Sequence, residues 1–442
     1  MNKILLMSFA AALAQAAAAS PAPDLTLRVT PERDYVYRLG PREVIVQVEV
    51  EARKNDDGRR SPMNLAIVLD RSGSMEGAKL EKARQAAAMA VDKLGDDDFF
   101  SLVTYDTETD LLIPPERVGG RDHREDIKAR IHRIQAGGST ALHAGVVLGA
   151  KQVRRFFEKE RVNRVILLSD GLANVGPSSS SDLARLGREL RGDGISVSTV
   201  GLGDDYNEDL MTALAEASNA NYYYVKDAEK LPSIFAQELG AARSLLARSI
   251  VIRIEAPEGI RLKEIVGRPD IECHDRQAEI KMPELFGSEK RRFLVRCLAE
   301  GKMPDTVEPA TVQLSYATVA GEQAPEQRVS AKVVFTDDEK KAEASVRAEV
   351  AREHSVVQNR VAKETAVKLA DEGRAKDAAE LLRKQAARNA AAPAPMQVPG
   401  VAEENRKLEE AAREMDSSGA IAKSRRKAMQ FENYADKYQK TR

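Results

Sequence analysis

NLAIVLDRSGSMEGAKLEKARQAAAMAVDKL, residues 64–94, reads as a buried strand, a turn and a helix in one stretch. Residues 64–70 form a nearly continuous apolar run, as expected of a strand whose two sheet faces are both covered. The turn, DRSGSMEG, puts an acid, two serines and two glycines at the carboxyl end of that strand. Asp70, Ser72 and Ser74 alternate, and alternation along a turning backbone sets three side-chain oxygens on one side. Gly73 permits the tight bend and Gly77 loosens the entry to the helix. One reading of this loop is a helix cap formed by a serine; the other is a divalent-cation site.

Working outward, the pattern of residues 62–240 decides the fold. DFFSLVTYD, NRVILLSD, ISVSTVGLG and NYYYVKD read as strands. Between them lie helical segments such as REDIKARIHRI, ALHAGVVLGAKQVRRFFEKE, SDLARLGRELRGDG and EDLMTALAEASN, with EKLPSIFAQELG closing the series. The alternation predicts a parallel sheet with helices on both faces and functional loops at the carboxyl ends of the strands. Two such loops matter. GGSTALHAG places Thr140 where a helix begins, and VILLSDGLANVG ends a second buried strand with Ser169, Asp170 and Gly171. Hydroxyls and carboxylates are hard oxygen ligands that suit magnesium, manganese or calcium rather than zinc. With few carboxylates the ion stays electrophilic and has room for an outside ligand. Asp106, in VTYD, is read in a supporting role, and His143 on the surface of the helix after Thr140.

These residues give the chain a specific resemblance. Asp70, Ser72 and Ser74, then Thr140, then Asp170 follow the D-x-S-x-S, threonine, aspartate pattern of a von Willebrand factor type A domain carrying a metal-ion-dependent adhesion site, with no member missing. The resemblance spans about residues 62–240 and implies a Rossmann-like α/β fold. It implies Ser72, Ser74 and Thr140 as direct metal ligands, with Asp70 and Asp170 as anchors and charge providers. A partner's carboxylate commonly completes the metal shell in this family. Mg2+ is the expected ion because carboxylates are few; Mn2+ and Ca2+ accept the same ligands. The arrangement also resembles bacterial secreted proteins likened by name to calcium-activated chloride channel subunits, a label that implies no conduction here.

The flanks differ in texture. Residues 1–20 read as a signal peptide, with MNK, an apolar ILLMSFAALA and Ala17 and Ala19 in small-x-small positions before Ser20. The expected location is therefore the periplasm or the exterior, with no integral membrane segment after cleavage. Residues 21–61 and 245–337 alternate as half-exposed antiparallel strands do, and the first are expected to join a β-sandwich built by the second. The expected architecture is multidomain: an α/β domain inserted between β-sandwich segments, then an α-helical region. That region divides into a hairpin at 341–390 turning near Gly373, a Pro/Ala linker at 391–400 and a further helical segment at 401–442. Its Ala-rich helices leave self-association open. Cys273 and Cys297 lie in strand-like segments; in an oxidising compartment they could pair across neighbouring strands, or stand as two separately buried thiols.

The 68 basic and 69 acidic residues balance to a formal charge of -1, which gives no reason to expect nucleic acid as a partner. Neither an HExxH run nor a GxSxG elbow is present, and the five histidines are scattered. The sequence reading is thus a non-enzymatic module that binds an acidic protein partner through a divalent cation. Its alternatives are an envelope scaffold with a stabilising metal site and a metal-dependent hydrolase.

Overall fold

The computed structural model describes residues 23–54, 61–242, 244–391 and 399–439. The signal peptide read at 1–20 and the centre of the linker, 392–398, lie outside the described residues. The chain opens with β1 (Leu25–Pro31), β2 (Tyr35–Tyr37) and β3 (Glu43–Ala52). The α/β unit follows as β4 (Met63–Asp70), α1 (Ala78–Lys93), β5 (Phe99–Tyr105), β6 (Thr109–Arg117), α2 (Arg121–His132), α3 (Leu142–Arg155), β7 (Val162–Ser169), α4 (Ser180–Gly192), β8 (Ser196–Leu202), α5 (Glu208–Ala217), β9 (Tyr222–Val225) and α6 (Leu231–Ala242). Strands return as β10 (Leu245–Glu255), β11 (Ile260–Ile265), β12 (Cys273–His274), β13 (Gln277–Phe286), β14 (Lys290–Ala299), β15 (Thr306–Val307), β16 (Thr311–Thr318), β17 (Gln327–Ser330) and β18 (Val333–Thr336). Helices α7 (Glu339–Ala344), α8 (Ala348–Asp371), α9 (Ala375–Ala390), α10 (Pro399–Ser418) and α11 (Lys423–Tyr438) complete it.

The α/β unit is a six-stranded sheet in the order β6-β5-β4-β7-β8-β9. Strand β4 runs parallel to both β5 and β7. Its side chains explain why the apolar run is continuous. Leu65, Ile67 and Leu69 enter one core with Ala83, Ala87 and Phe235, while Ala66 and Val68 enter the opposite core with Leu142, Val146 and Val153. Gly149 lets α3 lie close on the sheet, since a Cβ there would stand 2.4 Å from Val68 Cγ2. Because the chain leaves β4 for β5 on one side and reaches β7 on the other, a crevice opens between the carboxyl ends of β4 and β7. One strand was not foreseen: β6, TDLLIPPER, pairs antiparallel with β5 at the sheet edge. Pro114 and Pro115 disguise it, and an edge is where strand prolines are tolerated.

The flanking strands close on each other across this insertion. Strand β3 pairs with both β1 and β14 in a sheet of order β1-β3-β14-β11, which faces a sheet of order β12-β13-β10-β16-β17. Their shared core includes Val46, Val48 and Val295 from the first and Ile252, Ile280 and Leu314 from the second. The segment QRVSAKVVF divides between β17 in the five-stranded sheet and β18, which runs parallel to β2 in a third, small sheet. The expectation of half-exposed strands fails at β3, which is buried on both faces. Ile45 packs outward with Leu294, Val266 and Val350 of α8, and buried Glu49 accepts from Arg28 (3.2 Å) and Arg292 (2.6 Å).

The helical region holds the two units together. Helices α8 and α9 turn at Gly373, whose φ of +80 suits glycine. Arg360 of α8 donates to Gly267 O at 2.8 Å on the sandwich side. Helix α11 lies on the β9 edge of the α/β sheet. Lys427 donates to Tyr206 O at 2.8 Å and pairs with Glu208, and the Tyr434 hydroxyl donates to Ala220 O. Gln439 then uses its carboxamide on β14, accepting from Arg292 N (2.6 Å) and donating to Arg292 O (2.8 Å), as a neighbouring strand would.

The two cysteines, read either as a pair across neighbouring strands or as separate thiols, fall on different sheets. Cys273 is in β12 and Cys297 in β14, strands of two different sheets, and both are free thiols. They lie on facing layers because β12 pairs with β13 rather than beside β14. Burial pushes the Cys297 thiol up to about 12 and raises that of Cys273.

Gly201 of β8 tests the packing of this sheet. A Cβ there would stand 2.1 Å from Cζ of the buried Tyr206 ring. Gly201→Ala is expected to lower stability by about 1–3 kcal/mol, read from chemical or thermal denaturation in EDTA.

Candidate functional site

The site is built at the crevice between β4 and β7, starting from two carboxylates with no solvent exposure, Asp70 and Asp170. A buried carboxylate needs hydrogen-bond donors, and each finds them in neighbouring loops. Asp70 Oδ1 accepts from the Ser72 N–H at 2.8 Å and Oδ2 from the Ser169 hydroxyl at 2.7 Å. Burial pushes the Asp70 carboxyl above the usual range, and the hydrogen bonds from Ser72 and Ser169 oppose that rise. Asp170 Oδ1 accepts from the Ser74 hydroxyl at 2.7 Å, while Oδ2 takes the Lys79 ammonium at 2.5 Å. Ser72 Oγ and Ser74 Oγ stand 3.1 Å apart.

Backbone bonds fix these side chains. The loop after β4 is tied to the loop before α3 by Gly73 N–H to Gly138 O (3.1 Å) and Gly137 N–H to Arg71 O (2.8 Å). Asp106, at the end of β5, serves both loops: its carboxylate pairs with Arg71 at 3.0 Å and its carbonyl accepts from Ala141 N–H at 2.7 Å. Thr140 sits two residues ahead of α3, its N–H donating to Asn174 Oδ1 at 2.8 Å. Asn174 therefore locks the Thr140 loop to the loop after β7.

All five residues singled out in the sequence meet here. A methyl carbon on Gly171 would lie 3.3 Å from Thr140 Oγ1, 3.4 Å from Ser74 Oγ and 3.9 Å from Ser72 Oγ. Three hydroxyl oxygens thus surround one small space that the missing side chain of Gly171 leaves open. Ser74 spends its proton on Asp170 and keeps oxygen lone pairs for another contact. The donor set, hydroxyls backed by carboxylates, fits a hard divalent cation. Among the described residues no group of three or more His, Cys, Asp or Glu side chains is arranged to hold a metal ion; the hydroxyls are the candidate ligands because they converge here. His143 is half-buried, and its charged neighbours Asp182, Arg185 and Glu189 belong to α4.

Two contributors were missed in the sequence reading, and Ser169, named there as the end of β7, was given no role. Asn174 carried no signal beyond lying in the loop after β7. Lys79 did carry one. It sits in the first turn of α1, where the helix dipole disfavours a cation, so its position called for a compensating anion.

Comparisons with known proteins place the α/β unit that carries these loops. Residues 64–237 match the von Willebrand factor type A domain. An uncharacterized protein of Synechocystis sp. is 27% identical over 280 residues, which is 61% of this chain and 65% of that protein. Human inter-alpha-trypsin inhibitor heavy chain H4 is 27% identical over 159 residues, 35% of this chain and 17% of that protein. The chain thus spans less than two thirds of the length of either relative. Among solved structures, a von Willebrand factor type A protein from Catenulispora acidiphila shares the fold with a TM-score of 0.70 at 19% identity, covering 95% of this chain and 97% of that one. The ArnB paralog VWA2 from Sulfolobus acidocaldarius does so with a TM-score of 0.56 at 16% identity, covering 94% and 99%. The chain contains a von Willebrand factor type A domain, carried between β-rich flanks and a helical region.

Gly171→Ala is the sharpest probe of the hydroxyl cluster. Its methyl would occupy the space between the hydroxyls without a forbidden backbone angle. Wild type is expected to melt higher in Mg2+ than in EDTA, and the variant is expected to melt within a few degrees of wild type in EDTA and to show no rise with Mg2+, read by differential scanning fluorimetry.

Proposed function

We propose that this chain is a non-enzymatic binding module that captures a protein partner through a divalent cation held by Ser72, Ser74 and Thr140, with Asp70 and Asp170 behind them. The observation that carries this reading is the convergence of three hydroxyls on the space beside Gly171, backed by two fully buried carboxylates. Mg2+ is the proposed ion, because two carboxylates already engaged by internal donors make a weakly charged site; Mn2+ and Ca2+ present the same coordination chemistry. Bound there, the ion would supply an electrophilic point for an acidic side chain of the partner. Access is supported by the exposure of Ser74, Ser139 and Leu172 around the space. Both oxygens of each carboxylate accept hydrogen bonds that position the loops, which supports a binding role over a general-base role.

The proposed location is outside the cytoplasm, on the strength of the signal-like residues 1–20. No helix among the described residues is long and apolar enough to cross a membrane, so the likeness to proteins named after channel subunits adds no conduction to this proposal.

The test is affinity capture from an envelope extract with wild-type and Asp70→Ala bait, each in Mg2+ and in EDTA, with circular dichroism to show that both baits are folded. A partner retained by wild type in Mg2+ and lost in the other three lanes is the expected result. The same partners in all four lanes would replace this reading with a scaffold that recognises through its β or helical parts. Isothermal titration of the same pair with Mg2+ is expected to show binding to wild type and at least a tenfold loss in Asp70→Ala.

A further inference from the structure

Among the described residues, the Lys79 ammonium is the cation paired with the site's acids, through Asp170 and not Asp70. It lies 2.5 Å from Asp170 Oδ2 and 3.4 Å from Ser74 O, and a Cβ on Gly203 would stand 3.8 Å from it. It is thus wedged among the first turn of α1, the end of β7 and the end of β8. Oδ2 is the oxygen of Asp170 that Ser74 does not use, and the three atoms nearest a Cβ on Gly171 are the hydroxyl oxygens rather than Lys79 Nζ. Of the other charges nearby, Arg71 pairs with Asp106, while Asp204 accepts from the neutral Tyr224 hydroxyl and keeps its own charge. Asp70, Asp170 and Lys79 sum to one negative charge rather than two.

We propose that Lys79 is a resident cation that weakens divalent binding at this site and stabilises the metal-free protein, leaving a bound ion with one uncancelled positive charge for the partner's carboxylate. This rests on the reading of the site as a divalent-cation site given above. The physics is Coulombic. A positive charge next to the ion lowers its affinity, and the residual charge it leaves on the occupied site strengthens the attraction for an anion arriving from solvent. Lys79 also supplies the donor that buried Asp170 needs when no metal is bound. Its placement in the positive end of α1 is the electrostatic opposite of what a helix favours, and Asp170 compensates it.

The experiment uses the full chain stripped with EDTA, in wild-type, Lys79→Gln, Lys79→Met and Lys79→Arg forms, titrated with Mg2+ alone by calorimetry and melted without metal. Lys79→Gln removes the charge while keeping an N–H for Oδ2, so it stays informative even where Lys79→Met fails to fold. Expected is Mg2+ binding about tenfold tighter in the Gln variant, and in the Met variant where it folds, with Lys79→Arg within about twofold of wild type. The metal-free Met variant is expected to melt lowest. If wild type binds Mg2+ and the Gln variant binds no tighter, the role of Lys79 is overturned while the site itself stands. If no form binds Mg2+, both the role and the metal site fall.

Discussion

Asp70 is a carboxylate placed where water does not reach, and the two bonds that make this tolerable organise the molecule around it. One comes from the Ser72 N–H, which forces the chain leaving β4 to turn back over the strand end. The other comes from Ser169, which ties β4 to β7 across the point where the sheet order reverses. Neither bond could be surrendered without stranding a buried charge. The turn they impose sets Ser72 and Ser74 on the same side, brings Gly73 against Gly138, and so fixes the distance from the β4 loop to Thr140. The hydroxyl cluster follows from satisfying one acid.

Asp170 repeats the solution with different donors, a hydroxyl on one oxygen and an ammonium on the other. The two acids consequently do not need to share an ion in order to coexist. Each has its own internal partners, and the hydroxyls are oriented by those partnerships before any ligand arrives. Such preorganisation is what lets a site of few charges hold an ion without a large rearrangement.

The parts legible in the sequence are those dictated by local pattern. Residues 64–70 read as a doubly covered strand because Leu65 to Leu69 are all apolar, and β4 is buried along its whole length. The meeting of the three segments that carry Asp70, Ser72, Ser74, Thr140 and Asp170 was legible because strand ends in a parallel sheet converge at one edge; the choice of these five came from the family resemblance. Where tertiary partners decide, the pattern misleads. Strand β3 alternates like a half-exposed strand, yet Gln47 and Glu49 are buried, because α8 and Arg292 from distant parts of the chain cover its outer face. Strand β6 was hidden by its prolines, and the sheets that separate Cys273 from Cys297 were not readable from two isolated apolar runs. Lys79 was passed over as one more helix lysine, although its place in the first turn was electrostatically anomalous.

The insertion of the α/β unit has a consequence for how the chain acquires its structure. Strands β1 and β3 find their sandwich partners only in β14 and its neighbours; even the Leu25 N–H waits for the Tyr316 hydroxyl, 291 residues away. During synthesis from the amino terminus, β1 and β3 therefore emerge with one edge of β3 unsatisfied. The α/β unit, whose strands are joined by short crossovers, is complete much earlier. The topology thus makes the inserted unit the first part of the chain to have all its strand partners synthesised, followed by the two halves of the sandwich and last by α11.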